Sequence, residues 1–284
     1  MIELKDIHFS YGKRAIPALD GITADIKPGV VLLAGENGAG KTTLLHLIAG
    51  LMIPISGECL IDGINISSDN PVEKSKVFLL EERMYFPGKT IRQFAEMHSR
   101  FYPNFSKEAF LSNLIAFGLT GDEPLKSLSL GSLKRAQLAY VLALGVEVLL
   151  LDEPTNALDI ESREILRRLI ASSLAENQTI IISTHTVSDL ETLFDEVVML
   201  SRSRLIYAGT EEEVSDRLAF EVTRVPDNDA LYSEIQVGRV LNIFPAIEGE
   251  PTKVDWRLLY SALHSPKSKE IINTLYSGVA DDCK

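Results

Sequence analysis

Cysteine is nearly absent from this sequence of 284 residues, which contains only Cys59 and Cys283. Two cysteines so far apart cannot build a disulfide framework, and they lack the paired spacing of a zinc site. So few cysteines suit a reducing compartment, and we therefore expect a cytosolic protein.

Long apolar runs are lacking as well. The longest, residues 141–151, is interrupted by Glu147 and is far shorter than the roughly 20 residues that a membrane-spanning helix needs. The amino-terminal stretch MIELKDIHFS contains acidic residues and no apolar core, so we predict no signal peptide. If the protein acts at a membrane, we expect another chain to span it.

Basic residues are outnumbered by acidic ones. Lys and Arg together number 28 and Asp and Glu 40, which gives a formal net charge of −12. A broad basic face is therefore not expected, and we do not predict nucleic acid as a partner. Apolar residues at 45% and charged residues at 24% exclude wholesale disorder.

Short apolar runs alternate with helical patterns, which predicts an α/β fold. We predict buried strands at residues 30–34, 77–80, 148–151, 179–183 and 197–200. Asp62-Gly63 between apolar residues predicts a hairpin, and hence some antiparallel sheet. We assign residues 1–218 to a main domain, with a helical part at about 87–144, and residues 219–284 to a less regular accessory extension.

A phosphate-binding loop is the clearest motif. Residues 35–42, GENGAGKT, follow a predicted strand and open a predicted helix, as the pattern G-x-x-x-x-G-K-[ST] requires. Its glycines let backbone N–H groups face an anion, its lysine can reach the β- and γ-phosphates, and its threonine hydroxyl can bind Mg²⁺. The predicted ATP contacts of this segment are Gly35, Glu36, Asn37, Gly38, Ala39, Gly40, Lys41, Thr42 and Thr43.

Two carboxylates end the strand at residues 148–151. Ligands of open parallel sheets bind at the carboxyl ends of the strands, so Asp152 is placed to hold Mg²⁺. Glu153 could act as the general base that activates water. His185 follows the strand at 179–183, and at the same edge it could hydrogen-bond a γ-phosphate.

With these motifs in this order, residues 1–215 resemble the ATP-binding subunits of ATP-binding cassette (ABC) transporters. LSLGS at residues 128–132 is similar to the family signature LSGGQ, residues 152–155 to its second nucleotide motif, residues 156–159 to its D-loop, and residues 183–185 to its switch region. Tyr11 matches the aromatic residue that stacks on adenine. The resemblance implies a P-loop NTPase core with a mixed sheet, an antiparallel β subdomain and a helical subdomain.

The resemblance also implies partners. Two ATP-binding subunits, either two copies or sister chains, would pair head to tail, so that Ser129 and Gly131 close the partner's ATP site. Asp159 would be the acidic residue of the D-loop. An integral membrane permease would complete the transporter. The subunit would be cytoplasmic, bound peripherally to the inner face of the cell membrane.

The sequence departs from the family pattern at three positions. Glu81 stands where the family usually has a glutamine that contacts Mg²⁺ and water, so Glu81 is a candidate metal and catalytic residue. In the signature, Leu130 replaces the first glycine and Ser132 replaces glutamine. We still expect an active ATPase, because Ser129 and Gly131 are retained.

Two other functions stay open at this point. A non-transport ATPase acting on ribosomes or DNA usually has two cassettes or a long inserted coiled coil, and neither is evident. A nucleotide-binding scaffold would not need Glu153. Export is favoured over import because residues 101–105, FYPNF, are similar to a stretch of certain bacterial exporter ATPases. An exposed pair, Tyr85 and Phe86, would suit docking of the membrane subunit, although both could instead be partly core.

Overall fold

The computed structural model describes residues 1–12, 15–66, 70–184, 190–247 and 252–276, without the side chain of Glu191. A six-stranded sheet lies at its centre in the order β10-β9-β3-β8-β7-β6. All neighbours are parallel except the edge strand β10, which pairs antiparallel with β9. The strands are β3 (Gly29–Gly35), β6 (Val77–Leu80), β7 (Val148–Asp152), β8 (Thr179–Thr184), β9 (Glu196–Ser201) and β10 (Arg204–Thr210).

Both faces of this sheet are buried, which explains why its strands are continuous apolar runs. Alternate residues point to opposite faces: Val30 and Leu32 join one apolar core, and Val31 and Leu33 join the other. The five strands predicted from apolar runs are thereby confirmed. Their common direction brings the carboxyl ends of β3, β6, β7 and β8 to one edge.

A second, antiparallel sheet covers one face, in the order β2-β1-β4-β5. It comprises β1 (Ile2–Phe9), β2 (Leu19–Ile26), β4 (Ser56–Ile61) and β5 (Ile64–Asn65). The hairpin predicted at Asp62-Gly63 is present between β4 and β5, and both turn residues have positive φ, 49° and 75°.

The helices surround the central sheet. They are α1 (Lys41–Ile48), α2 (Pro71–Lys74), α3 (Ile91–His98), α4 (Lys107–Ala116), α5 (Leu130–Val141), α6 (Ile160–Ser173) and α7 (Glu211–Ser215). Side-chain oxygens cap their first turns where the sequence offers Ser, Thr or Asp, for example Ser129 before α5 and Asp159 before α6. Within the described ranges, no helix has the length and apolarity needed to cross a bilayer.

The C-terminal extension is more regular than the sequence predicts. Strands β11 (Leu218–Thr223), β12 (Tyr232–Gln236) and β13 (Arg239–Pro245) form a third sheet in the order β11-β13-β12, followed by helices α8 (Trp256–Leu263) and α9 (Ser268–Tyr276). Trp256, Leu259 and Ile271 are buried in the same apolar core as one face of the central sheet. The extension is therefore packed against the main fold, and β11 begins one residue before the boundary that we assigned.

Candidate active site

The phosphate loop connects β3 to α1 in a conformation that depends on glycine. Gly38 and Gly40 have positive φ, 83° and 107°. A Cβ atom added to Gly40 would lie 2.5 Å from the carbonyl oxygen of Ala18, whereas one added to Gly38 would meet no atom within 4 Å. Both positions thus need a left-handed backbone, which glycine adopts readily, and at Gly40 a side chain would also clash with a neighbouring atom.

Lys41 lies inside this loop with 8% of its surface exposed. Its Nζ donates hydrogen bonds to the carbonyl oxygens of Gly35 at 2.7 Å and Glu36 at 3.3 Å. Burial lowers the pKa of the Lys41 ammonium, and the nearby carboxylates of Glu153, Asp152 and Glu36 act in the opposite direction. The loop therefore holds a partly desolvated cation where a phosphate would enter.

Asp152 joins the loop to the neighbouring strands. Its Oδ2 accepts a hydrogen bond from the Thr42 hydroxyl at 2.9 Å, and its Oδ1 accepts one from the Ser183 hydroxyl on β8. Asp152 is buried, with 6% of its surface exposed. The register explains the contact, because Asp152 pairs with Ser183 between β7 and β8. One carboxylate and one hydroxyl thus converge, as the sequence predicts for Thr42 and Asp152.

Glu153 follows directly and turns the chain at the end of β7. Its φ of 47° is left-handed, which is uncommon for a residue other than glycine. Its backbone N–H donates to both the carbonyl oxygen and the hydroxyl of Ser183, at 3.1 Å each. Ser183 therefore fixes both Asp152 and the turn that directs Glu153 into the site, a role that the sequence analysis missed.

These residues line one open cavity of about 460 Å³. Tyr11 lies at its margin, where it is 65% exposed, and a hydrogen bond of 2.9 Å joins its hydroxyl to Thr43 Oγ1. The edge of Phe9 packs against the Tyr11 ring. The cavity is lined by Tyr11, Ala18, Asn37, Gly38, Gly40, Lys41, Thr42, Thr43, Glu82, Asp152, Glu153 and Asn156.

Glu81 and Glu82 occupy different environments. His46 Nε2 donates to Glu81 Oε1 at 2.8 Å, and Glu81 is not among the residues that line the cavity. Glu82 does line it, and its Oε1 accepts a hydrogen bond from Asn156 Nδ2 at 2.8 Å. The structure thus places Glu82, which the sequence analysis missed, in the lining of the cavity and leaves Glu81 outside it.

The signature residues lie apart from this cavity. Ser129 Oγ accepts a hydrogen bond from the backbone N–H of Ser132 and so caps α5. A Cβ atom at Gly131 would lie 2.7 Å from the carbonyl oxygen of Ala157, so this position has room only for glycine. Asp159 caps α6 by accepting from Ser162 N at 2.8 Å. His185 lies outside the described residues.

A second groove adjoins the cavity and contains a lysine that the sequence analysis missed. Lys134 on α5 is 4% exposed, and its Nζ is buried without a hydrogen-bond partner among the described residues. Burial lowers its pKa to about 8, although Asp152, Glu82 and Glu153 act in the opposite direction. The groove shares Glu82 and Asn156 with the cavity. The only sequence signal was a lysine within the apolar pattern of α5.

The two aromatic residues after β6, Tyr85 and Phe86, differ in their exposure to solvent. Phe86 is 3% exposed and stacks on Phe94 with a centroid distance of 4.2 Å, so of the two alternatives left open the core position holds for Phe86. Tyr85 is 78% exposed and lines the groove beside Lys134.

The fold and the cavity define a P-loop nucleotide-binding protein, and comparisons with known proteins agree. Two similar structures are described as an ATP-binding subunit of an ABC transporter and as a dimeric ATP-binding cassette bound to ADP and Pi, with TM-scores of 0.67 and 0.64. They are 23% and 24% identical in sequence, cover 75% and 74% of this chain, and are themselves covered to 91% and 98%. They support the fold.

The family follows from sequence comparison. The ABC transporter family model matches residues 19–156. The energy-coupling factor transporter ATP-binding protein EcfA of Methanothermobacter thermautotrophicus is 33% identical, over 75% of this chain and 72% of its own length. The lantibiotic transport ATP-binding protein SrtF of Streptococcus pyogenes is 31% identical, over 79% and 100%. This chain belongs to the ATP-binding subunits of ABC transporters, and it is an ATPase.

Proposed function

We propose that this chain hydrolyses ATP at the described cavity and thereby powers export of a substrate through a separate membrane subunit. The observation that carries the proposal is the convergence of Lys41, Asp152 and Glu153 in one cavity at the carboxyl edge of the central sheet. Cation, metal-binding carboxylate and general base are the groups that phosphoryl transfer to water requires.

Each residue has a part in the reaction. Lys41 and the loop N–H groups bind the β- and γ-phosphates and stabilise the charge that develops on them. Glu153 orients a water molecule and accepts its proton while the water oxygen attacks the γ-phosphorus. The bond to the leaving oxygen of ADP breaks, and phosphate is released. Ser183 holds the turn that positions Glu153.

The oxygen ligands present fit Mg²⁺. The hydroxyl of Thr42 and the carboxylate of Asp152 lie within 2.9 Å of each other, and the described residues contain no cluster of three metal-binding side chains. Mg²⁺ is typically held by one or two such protein oxygens together with phosphates and water. When bound, it would supply positive charge to the phosphates. We assign Thr42 and Asp152 to it, and not Glu81, which hydrogen-bonds to His46.

We further propose a head-to-tail pair of ATP-binding subunits. Ser129 and Gly131 do not line the cavity of their own chain, and Leu130 between them is 77% exposed. An exposed helix N-terminus of this kind can reach the nucleotide of a second chain, where its dipole favours the γ-phosphate. We also propose that His185, which lies outside the described residues, hydrogen-bonds the γ-phosphate of the ATP bound by its own chain.

The proposals of a membrane subunit and of export are based on local features of the chain. Exposed Tyr85 offers an apolar contact to a permease at the inner face of the membrane. The FYPNF stretch supports export. Among the relatives, SrtF is named for lantibiotic transport and CmpC of Synechococcus elongatus for bicarbonate transport. A subunit of a transporter should co-sediment with membranes, whereas a ribosomal factor, the alternative, should co-sediment with ribosomes.

Phosphate release from MgATP tests the assignment of the site. The Lys41→Ala variant should lose turnover and bind nucleotide weakly, while Lys76→Ala, which removes an ammonium paired with Glu73 away from the cavity, should match the wild type. Equal turnover in Lys41→Ala and wild type would contradict the assignment.

A further inference from the structure

The C-terminal extension reaches the phosphate loop through one histidine. His264 directly follows α8, and its Nδ1 lies 2.8 Å from the backbone carbonyl oxygen of Tyr260. Because a carbonyl oxygen only accepts, the hydrogen of this bond is on Nδ1. The rings of Tyr260 and His264 also pack together, with centroids 4.2 Å apart. The imidazole is therefore held in one orientation, with a hydrogen on Nδ1.

The second ring nitrogen of His264 faces the phosphate loop. Nε2 lies 3.8 Å from Oε2 of Glu36, and it is buried without a hydrogen-bond partner among the described residues. In the neutral ring this nitrogen would present a lone pair to a carboxylate. In the imidazolium it presents an N–H, and the two groups attract each other. Only the ring that carries a hydrogen on both nitrogens can donate from Nε2 toward Glu36, and in that form the contact is an ion pair.

Glu36 connects this contact to the nucleotide site. Its carbonyl oxygen accepts from Lys41 Nζ, and its Oε1 accepts from the Ser201 hydroxyl and the Arg202 N–H at 3.2 Å each. A carboxylate on a loop that receives a triphosphate is electrostatically unfavourable. A cation beside it reduces the repulsion, and the hydrogen bonds keep the carboxylate turned toward the β9–β10 turn.

The extension fixes the position of His264 through its own packing. Trp256 at the start of α8 is 1% exposed, and Arg217 donates to the carbonyl oxygen of Leu275 in α9. Arg257 forms an ion pair with Glu234 of β12 at 2.8 Å. His264 is thus held by a packed unit.

We propose that His264 is a positioning residue of the ATP site, which pairs with Glu36 and makes residues 252–276 part of the nucleotide-binding unit. This inference rests on the proposed nucleotide site.

Calorimetric titration with MgADP tests the inference without turnover. We expect His264→Ala to raise the Kd by about threefold to fivefold, the size of effect expected for loss of one partly exposed charge pair. His264→Gln, whose amide can still donate to Glu36 but carries no charge, should restore only part of the affinity. Arg257→Gln is the matched control, since it removes a contact of the same extension that does not reach Glu36. It should lower the Tm while leaving the Kd unchanged.

Hydrogen exchange supplies a second readout. Because coupling between binding and local order is reciprocal, MgADP should slow exchange in residues 252–276 of the wild type and do so less in His264→Ala. An unchanged Kd in His264→Ala, or an equal rise in Arg257→Gln, would overturn the inference. If Lys41→Ala binds MgADP as well as the wild type does, the proposed site itself fails, so the two failures are distinguishable.

Discussion

At the scale of single residues, the cavity depends on how the chain turns after β7. Glu153 adopts φ of 47° while its N–H is held twice by Ser183, and the same serine holds Asp152. Left-handed backbone is costly for a glutamate, so the surrounding hydrogen bonds must stabilise it. This arrangement directs the Glu153 carboxylate into the cavity.

Replacing that carboxylate should separate binding from chemistry. Glu153→Gln keeps the size of the side chain but removes the base, so we expect nucleotide affinity to persist and turnover to fall by about 10²-fold or more. Phosphate release and nucleotide titration measure the two effects. Glu147→Gln, at the other end of β7, is the control and should hydrolyse normally. Turnover unchanged in Glu153→Gln would remove Glu153 as the base.

The buried ammonium of Lys134 should lower the free energy of unfolding near neutral pH. Its folded pKa of about 8 lies below the 10.5 of an unperturbed lysine, so the unfolded chain binds more protons between these values and stability rises with pH. At pH 7, Lys134→Met should raise the free energy of unfolding by up to about 3 kcal/mol, and the gain should shrink toward pH 10. Guanidinium unfolding at both pH values measures this. A destabilised variant at pH 7 would show that the ammonium has a stabilising partner.

At the scale of elements, the phosphate loop offers a matched pair of glycines. Gly38→Ala would place alanine in a left-handed backbone without a steric clash, which should lower the free energy of unfolding by about 1–2 kcal/mol. Gly40→Ala adds a clash with the Ala18 carbonyl oxygen at 2.5 Å, and it should therefore lower both nucleotide affinity and the Tm considerably more. Thermal unfolding and MgADP titration compare them. Equal effects would mean that the loop can move away from β2.

Two helix-capping serines allow the structural effect of losing a cap to be separated from an effect on ATP turnover. Ser129 caps α5 and Ser106 caps α4, each through a backbone N–H at 3.1 Å. Either serine replaced by alanine should lose about 1 kcal/mol of stability. Only Ser129→Ala should also reduce ATP turnover strongly, because the hydroxyl is proposed to act on the partner's ATP. If both variants hydrolyse normally, Ser129 has a capping role alone.

The strands and the phosphate loop could be predicted from the sequence where the local residue pattern determines them. Continuous apolar runs indicated the central strands, since residues buried on both faces leave no polar alternation, and GENGAGKT indicated the loop. Pattern could not distinguish Glu81 from Glu82, because that depends on whether a side chain meets His46 or Asn156. Nor could it find the contact of His264 with Glu36, which are 228 positions apart (264 − 36) and meet only through the packing of the extension.

At the scale of the whole molecule, we propose that each chain presents two separate halves of an ATP site. The cavity of Lys41 and Glu153 faces one part of the surface, and the signature at Ser129 and Gly131 lies outside it. In the proposed arrangement a single chain has the groups that bind ATP and activate water, and a second chain supplies the signature that closes the site. We expect turnover per chain to rise with protein concentration as chains associate.

Light scattering on Glu153→Gln tests this account most directly. Without nucleotide the variant should have the monomer mass of 31.4 kDa, and with MgATP it should shift toward twice that mass as the two signatures close over two nucleotides. Adding Lys41→Ala to the same variant should abolish the shift. A variant that binds MgATP and stays monomeric would contradict the proposal that two copies of this chain complete each other's sites.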